Sequence, residues 1–121
     1  MVEELIKVFN QKGKLDITDI EWDGYNLSIL GENWSLNSTS AWRIIAKIGL
    51  FGDNDTESKS QLDLLKGKSI LEIKPLGDLG LDFSLVLTDN IKIQIFCNTY
   101  FEPWIFSFDK TVTFVAAYQV F

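Results

Sequence analysis

The chain has no histidine, one cysteine (Cys97), one arginine (Arg43) and two prolines. Without histidine there is no imidazole base near neutral pH, no Ser-His-Asp or Cys-His arrangement, and no usual transition-metal ligand. The eight glycines stand singly at turn-like positions, so no glycine-rich phosphate loop exists, and no cofactor is expected. One cysteine cannot close an intrachain disulfide, which agrees with a reducing compartment; between Phe96 and Asn98 in an apolar run, Cys97 reads as buried filler rather than a nucleophile. The longest apolar stretch, Ile44 to Phe51, is interrupted by Lys47 and Gly49 and falls far short of the roughly 20 residues of a membrane span. Met1-Val2-Glu3-Glu4-Leu5, read as the native start, lacks the basic residues and apolar run of a secretory signal, so a cytoplasmic location is expected. Basic residues are outnumbered 11 to 17, and the net charge of -6 repels phosphate backbones and anionic lipid. Neither nucleic acid nor membrane is expected as a partner.

What the chain does have is a core. It is 121 residues long, 46% hydrophobic, with nine Phe, four Trp and three Tyr, which points to a single domain over residues 1–121. Apolar residues at Val2, Leu5, Ile6, Val8 and Phe9, with Glu3 and Glu4 early and Lys12 late, predict an N-terminal helix ended by Gly13. From Leu15 the period changes to that of a half-buried strand closed by Gly24, with a bulge near Thr18. Asn26 to Ser38 reads as a hairpin with Glu32-Asn33 as its loop, because that register puts Leu27, Ile29, Trp34 and Leu36 on one face. Trp42 to Leu50, an apolar run with β-branched residues, reads as one further strand, although its length also permits helix. Ser58-Lys59-Ser60-Gln61 has capping-box spacing before a short helix that ends by Gly67.

Ser69 to Ile73 is expected to be a strand stopped by Pro75 and Gly77. Phe83, Leu85 and Leu87 share a face with Ile91, Ile93 and Ile95 only if a three-residue loop, Thr88-Asp89-Asn90 with Asn90 left-handed, joins their strands. Trp104 to Phe108 and Thr111 to Val120 predict a last strand pair around Asp109-Lys110. The fold class is therefore α+β, mainly antiparallel sheet with an N-terminal and a short central helix. It also carries an internal echo. Lys12-Gly13-Lys14, strand, hairpin and Trp42 recur as Lys66-Gly67-Lys68, strand, hairpin and Trp104, which suggests two similar half-units.

Candidate sites are few. Asp19, Glu21 and Asp23 recur at spacing two and would project from one strand face, a row able to receive a basic partner. Asp53, Asp55 and Glu57 imitate the start of a calcium loop, but Ser58 and Leu64 occupy the positions that require Gly and a bidentate Glu, so a helix-initiating loop is the better reading and no metal site is expected. Nothing in the spacing brings Glu102 to Asp109. Tyr100, Phe101 and Trp104, beside Pro103, are candidates for an exposed aromatic contact patch, and the four tryptophans for the lining of an apolar ligand pocket. Arg43, between Trp42 and Ile44, invites a structural carboxylate partner.

Trp42-Arg43-Ile44, Leu65-Lys66-Gly67-Lys68-Ser69-Ile70, Leu81-Asp82-Phe83-Ser84-Leu85 and Trp104 together resemble a group of small uncharacterised bacterial proteins, some of which are similar to immunity proteins that neutralise secreted polymorphic toxins. The resemblance spans residues 27 to 108 and implies neutralisation by occlusion, with a basic protein such as a toxin as partner. It carries no functional residues to transfer. The expectation is a non-enzymatic, intracellular protein-binding domain; the alternative is a small-molecule-binding domain with a tryptophan-lined apolar pocket. The oligomeric state is left open.

Overall fold

The structure is a computed structural model that describes residues 2–77, 80–97, 103–109 and 112–115. Its elements run α1 (Val2–Lys12), β1 (Leu15–Asp16), β2 (Asp19–Trp22), β3 (Leu27–Leu30), β4 (Trp34–Ser38), β5 (Ala41–Ala46), β6 (Gly49–Gly52), α2 (Ser58–Asp63), β7 (Ser69–Leu76), β8 (Asp82–Leu87), β9 (Lys92–Phe96), β10 (Trp104–Phe108) and β11 (Val112–Val115). They form two antiparallel sheets, of order β1-β7-β8-β9-β5-β6 and β11-β10-β4-β3-β2. The class is α+β, and no helix among the described residues is long and apolar enough to cross a membrane.

Local chemistry explains most boundaries. α1 buries Val2, Leu5 and Phe9 at helical spacing and stops at Gly13, whose φ of 86° few other residues would adopt and whose amide donates to the Phe9 carbonyl. The β3–β4 hairpin turns on Glu32-Asn33, with Ile29 opposite Leu36 as the shared apolar face requires. β8 and β9 are joined by Thr88-Asp89-Asn90, which sets Leu85 opposite Ile93; Asn90 is left-handed, and so is Asp89.

Four readings need correction. The run from Leu15 is two strands: it breaks at Ile17-Thr18, so that β1 joins the first sheet and β2 the second. Trp42 to Leu50 is a hairpin turned at Lys47-Ile48: β9 pairs with β5 only as far as Ile45, and β6 folds back along β5 from Gly49. β7 continues through Pro75, where its missing amide costs nothing: β1 reaches only Ser69 and Ile70, leaving β8 as the one strand neighbour there. The capping box does not form. Glu57 occupies the cap position of α2 without a side-chain bond, while Ser58 is buried and its hydroxyl donates to the Gly52 carbonyl.

The internal echo has a structural counterpart. The first half contributes β2-β3-β4 to one sheet and β5-β6 to the other; the second half contributes β7-β8-β9 to the latter and β10-β11 to the former. Each sheet is thus a three-stranded meander from one half completed by a Trp-bearing hairpin from the other. The two halves meet at β1 and β7, where Leu15 lies opposite Ile70 and Asp16 opposite Ser69. Shifting by the 54 residues that separate the two Lys-Gly-Lys motifs turns the first of these pairs into the second, as a two-fold relation demands. Trp42 and Trp104 hold equivalent inward places on β5 and β10, both buried.

Neither half can bury its apolar faces alone. A chain opened between Thr56 and Glu57 should therefore give two fragments that are unstructured apart and recover native circular dichroism and tryptophan fluorescence when mixed at equal concentration. Independent folding of either fragment would refute the interleaved dependence.

Candidate functional site

The acidic row lies at an edge of the second sheet. Among the described residues β2 pairs only with β3, and its alternation turns Asp19 and Glu21 away from buried Ile20. Asp23 falls outside the row. It lies past the strand end, where its Oδ1 accepts the amides of Asn26 (2.6 Å) and Tyr25 (2.8 Å) and builds the turn into β3 together with left-handed Gly24. Those amides, Asn26 foremost, hold the Asp23 carboxyl below the usual aspartate range.

Asp19 is also engaged. Lys66 Nζ approaches its Oδ1 at 3.2 Å, and the same oxygen accepts the Ile20 amide at 2.9 Å; the lysine first and the amide second lower its pKa. The amide bond matters for the strand edge. Asp23 donates to Asn26, which makes that pair hydrogen-bonded, so by alternation Glu21 and Asp19 face β3 while Ile20 and Trp22 present their backbone groups outward. Asp19 therefore blunts the open edge by occupying one of its donors. Glu21 makes no ion pair among the described residues and is exposed.

Beside this edge α2 packs against β2 and β6, leaving a cleft of about 410 Å³. Its walls are Asp19, Glu21 and Trp22 on the strand side and Lys59, Leu62, Asp63 and Lys66 on the helix side. Lys66 bridges the mouth, 3.2 Å from Asp19 and 3.9 Å from Asp63. Trp22 is half-buried and stands edge-on to Trp42, with ring centroids 5.1 Å apart. It offers an aromatic wall flanked by carboxylates.

The related place in the other half is closed. There α1 packs against β7 with Leu5 and Phe9 fully buried. Fifty-four residues on, at the same distance before the second Lys-Gly-Lys, the chain carries Lys59 and Asp63. α2, however, turns Ser58 and Leu62 inward, with Leu65 buried just beyond it, so Lys59 and Asp63 stand on its outer side at the rim of the cleft. Sequence reasoning missed these α2 residues, because only the packing of α2 against β2 brings them beside the acidic row.

The other candidates resolve differently. Trp104 is not part of an exposed patch: alternation along β10 turns Trp104, Phe106 and Phe108 inward, and Trp104 Nε1 donates to the Leu81 carbonyl at 2.7 Å. Tyr100, Phe101 and Glu102 lie outside the described residues. Trp42 and Trp104 are core, while Trp22 and Trp34 border separate clefts, so the four indoles do not gather around one cavity. Arg43 donates Nε to the Gln94 amide oxygen at 2.6 Å and lies over Phe96, an amide partner rather than a carboxylate. Asp55 accepts the Gly52 amide, and Asp109 pairs with Lys12 at 2.6 Å. Among the described residues no three His, Cys, Asp or Glu side chains are grouped to hold a metal ion. Burial first, and then the charge of Asp82, pushes the Cys97 thiol up to about 12.

The chain matches no protein-family model, no curated protein and no solved structure.

Two measurements follow from the titrating groups. Asp19 and Asp23 ionise at lower pH when folded than unfolded, so their stabilisation is complete above the ordinary aspartate value of 3.8 and drains away as pH falls through their depressed folded values. The urea midpoint of the native chain should drop over that acid range, and the Asp19→Asn/Asp23→Asn chain should show a shallower drop; parallel profiles would count against the assignment. For Cys97, maleimide labelling at about pH 8 should be slow in the folded chain and complete after denaturation, whereas rapid native labelling would contradict the inert reading.

Proposed function

We propose that the chain is a non-enzymatic protein-binding domain of the immunity type, which neutralises a basic protein by occlusion, and that the cleft between β2 and α2 is its contact centre. The observation that carries this reading is the charged, aromatic-walled cleft that α2 leaves beside the acidic edge of β2. The net charge of -6 would accelerate encounter with a basic surface over distances comparable to the Debye length. At contact, Glu21 and Asp63 would receive a Lys or Arg side chain against the Trp22 ring, with Lys66 giving up Asp19 to the newcomer. Occlusion needs no catalytic group, only a surface that covers the partner's own site.

The test is calorimetric titration against the basic protein recovered with the tagged chain from source-cell lysate at low salt. Glu21→Gln combined with Asp63→Asn should weaken binding by about tenfold or more and flatten its salt dependence. Undiminished affinity in that variant, with the fold intact by circular dichroism, would remove the cleft from the interface. Absence of any stoichiometric basic partner would remove the reading itself.

A further inference from the structure

The inner faces of the two sheets end differently at matching places. On β10 the inward residues are Trp104, Phe106 and Phe108, and Phe108 lies opposite Trp34 of β4, both buried, so aromatic rings fill that end of the core. On β5 the 62-residue spacing between Trp42 and Trp104 sets Ile44 at the place of Phe106 and Ala46 at the place of Phe108. The strand register agrees: Trp42 and Ile44 lie opposite Ile95 and Ile93 of β9, as Trp104 and Phe106 lie opposite Ser38 and Leu36 of β4. One step past the last pair, Ile45 opposite Lys92, Ala46 and Ile91 line a cavity of about 390 Å³. An alanine and an isoleucine stand there in place of a phenylalanine and a tryptophan.

The cavity is apolar within and basic at its opening. Ile44 and Leu65, in its lining, are buried, whereas Ile48 in the β5–β6 turn and Leu64 just past α2 are 74% and 62% exposed. Its charged residues are Lys47, Lys68 and Asp89, two cations to one anion in a chain whose net charge is -6. Lys47 makes no ion pair among the described residues, and Lys68 reaches Asp89 at 2.7 Å, where the exposed carboxylate is screened by solvent and holds the lysine weakly. No tryptophan lines the cavity, and it shares no lining residue with the cleft beside β2. We propose that it binds a small amphipathic carboxylate of the medium-chain fatty-acid class, with the acyl chain against Ile44, Ala46 and Leu65 and the carboxylate between Lys47 and Lys68. Burial of the chain supplies affinity, and the excess of lysine selects the sign of the headgroup. A cationic amphiphile of the same length would set its charge against two lysines, and a neutral one would gain nothing from Lys47.

Isothermal titration calorimetry of the full chain with decanoate, decanol and decylammonium tests this. Decanoate should bind one-to-one and about tenfold more tightly than the other two. Ala46→Phe, which gives β5 the residue that β10 carries, should abolish the binding with native circular dichroism. Leu64→Asp, at an exposed position that the fold does not need, should weaken it by about tenfold, so the site is tested even where the larger side chain disturbs packing. Lys47→Glu should weaken decanoate by a similar factor, and Asp89→Asn, which suits the left-handed backbone there, should tighten it by about threefold. Absence of saturable decanoate binding, equal or greater affinity for decylammonium, or full affinity in folded Ala46→Phe or Leu64→Asp would each overturn the proposal. Glu21→Gln combined with Asp63→Asn should leave decanoate affinity unchanged, which separates this site from the cleft at β2.

Discussion

The short pairing of Leu15–Asp16 with Ser69–Ile70 is the constraint on which the rest of the structure depends. It carries few hydrogen bonds, but it fixes the two halves face to face, and everything else follows by alternation from there. Once β1 is committed to β7, the break at Ile17-Thr18 must send β2 into the opposite sheet. The Thr18 amide donates to Leu30, and the Ile17 amide to Lys68, so the break itself bonds to both sheets. The two sheets are joined at that corner, with Ile17, Ile20, Ile70 and Ile73 buried around it.

Much of this was legible in the sequence where local chemistry decides. Gly13 ended α1, Glu32-Asn33 turned its hairpin, and the need to put Leu85 and Ile93 on one face selected a three-residue loop. The repeated Lys-Gly-Lys pointed to two similar half-units, but not to their interleaving, in which each sheet takes strands from both halves. Boundaries that depend on a neighbour were not legible. Whether Pro75 ends a strand depends on what lies beside it, and whether Lys47-Ile48 turns or continues depends on where β9 stops. Period and propensity contain neither fact.

The site divides along the same line. That Asp19 and Glu21 share a face is a property of any strand. That Asp23 would be drawn into a turn, and Asp19 into contact with a lysine 47 positions away, is a property of the packing of α2, which the row's spacing could not announce. Trp104 was misjudged because proximity to a proline was read as exposure, whereas the alternation set by Phe106 and Phe108 governs it. Lys59 and Asp63 read in the sequence as an ordinary solvated helix face, and only the packing of α2 beside β2 brings them to the cleft.

The interleaving also governs the order in which the molecule can be made. β4 is an inner strand flanked by β3 and β10, so Leu36 has one neighbour from its own hairpin and another, Phe106, from 70 positions further along. During synthesis the first meander emerges with β4 as a bare edge and β5–β6 without the sheet they complete. The second sheet cannot close until β10 and β11 leave the ribosome, so the first meander spends most of elongation with its apolar face uncovered. A protein built this way depends on rapid closure after release or on a chaperone before it, and truncation before β10 would leave β4 as a bare edge of the second sheet while the first keeps all its strands.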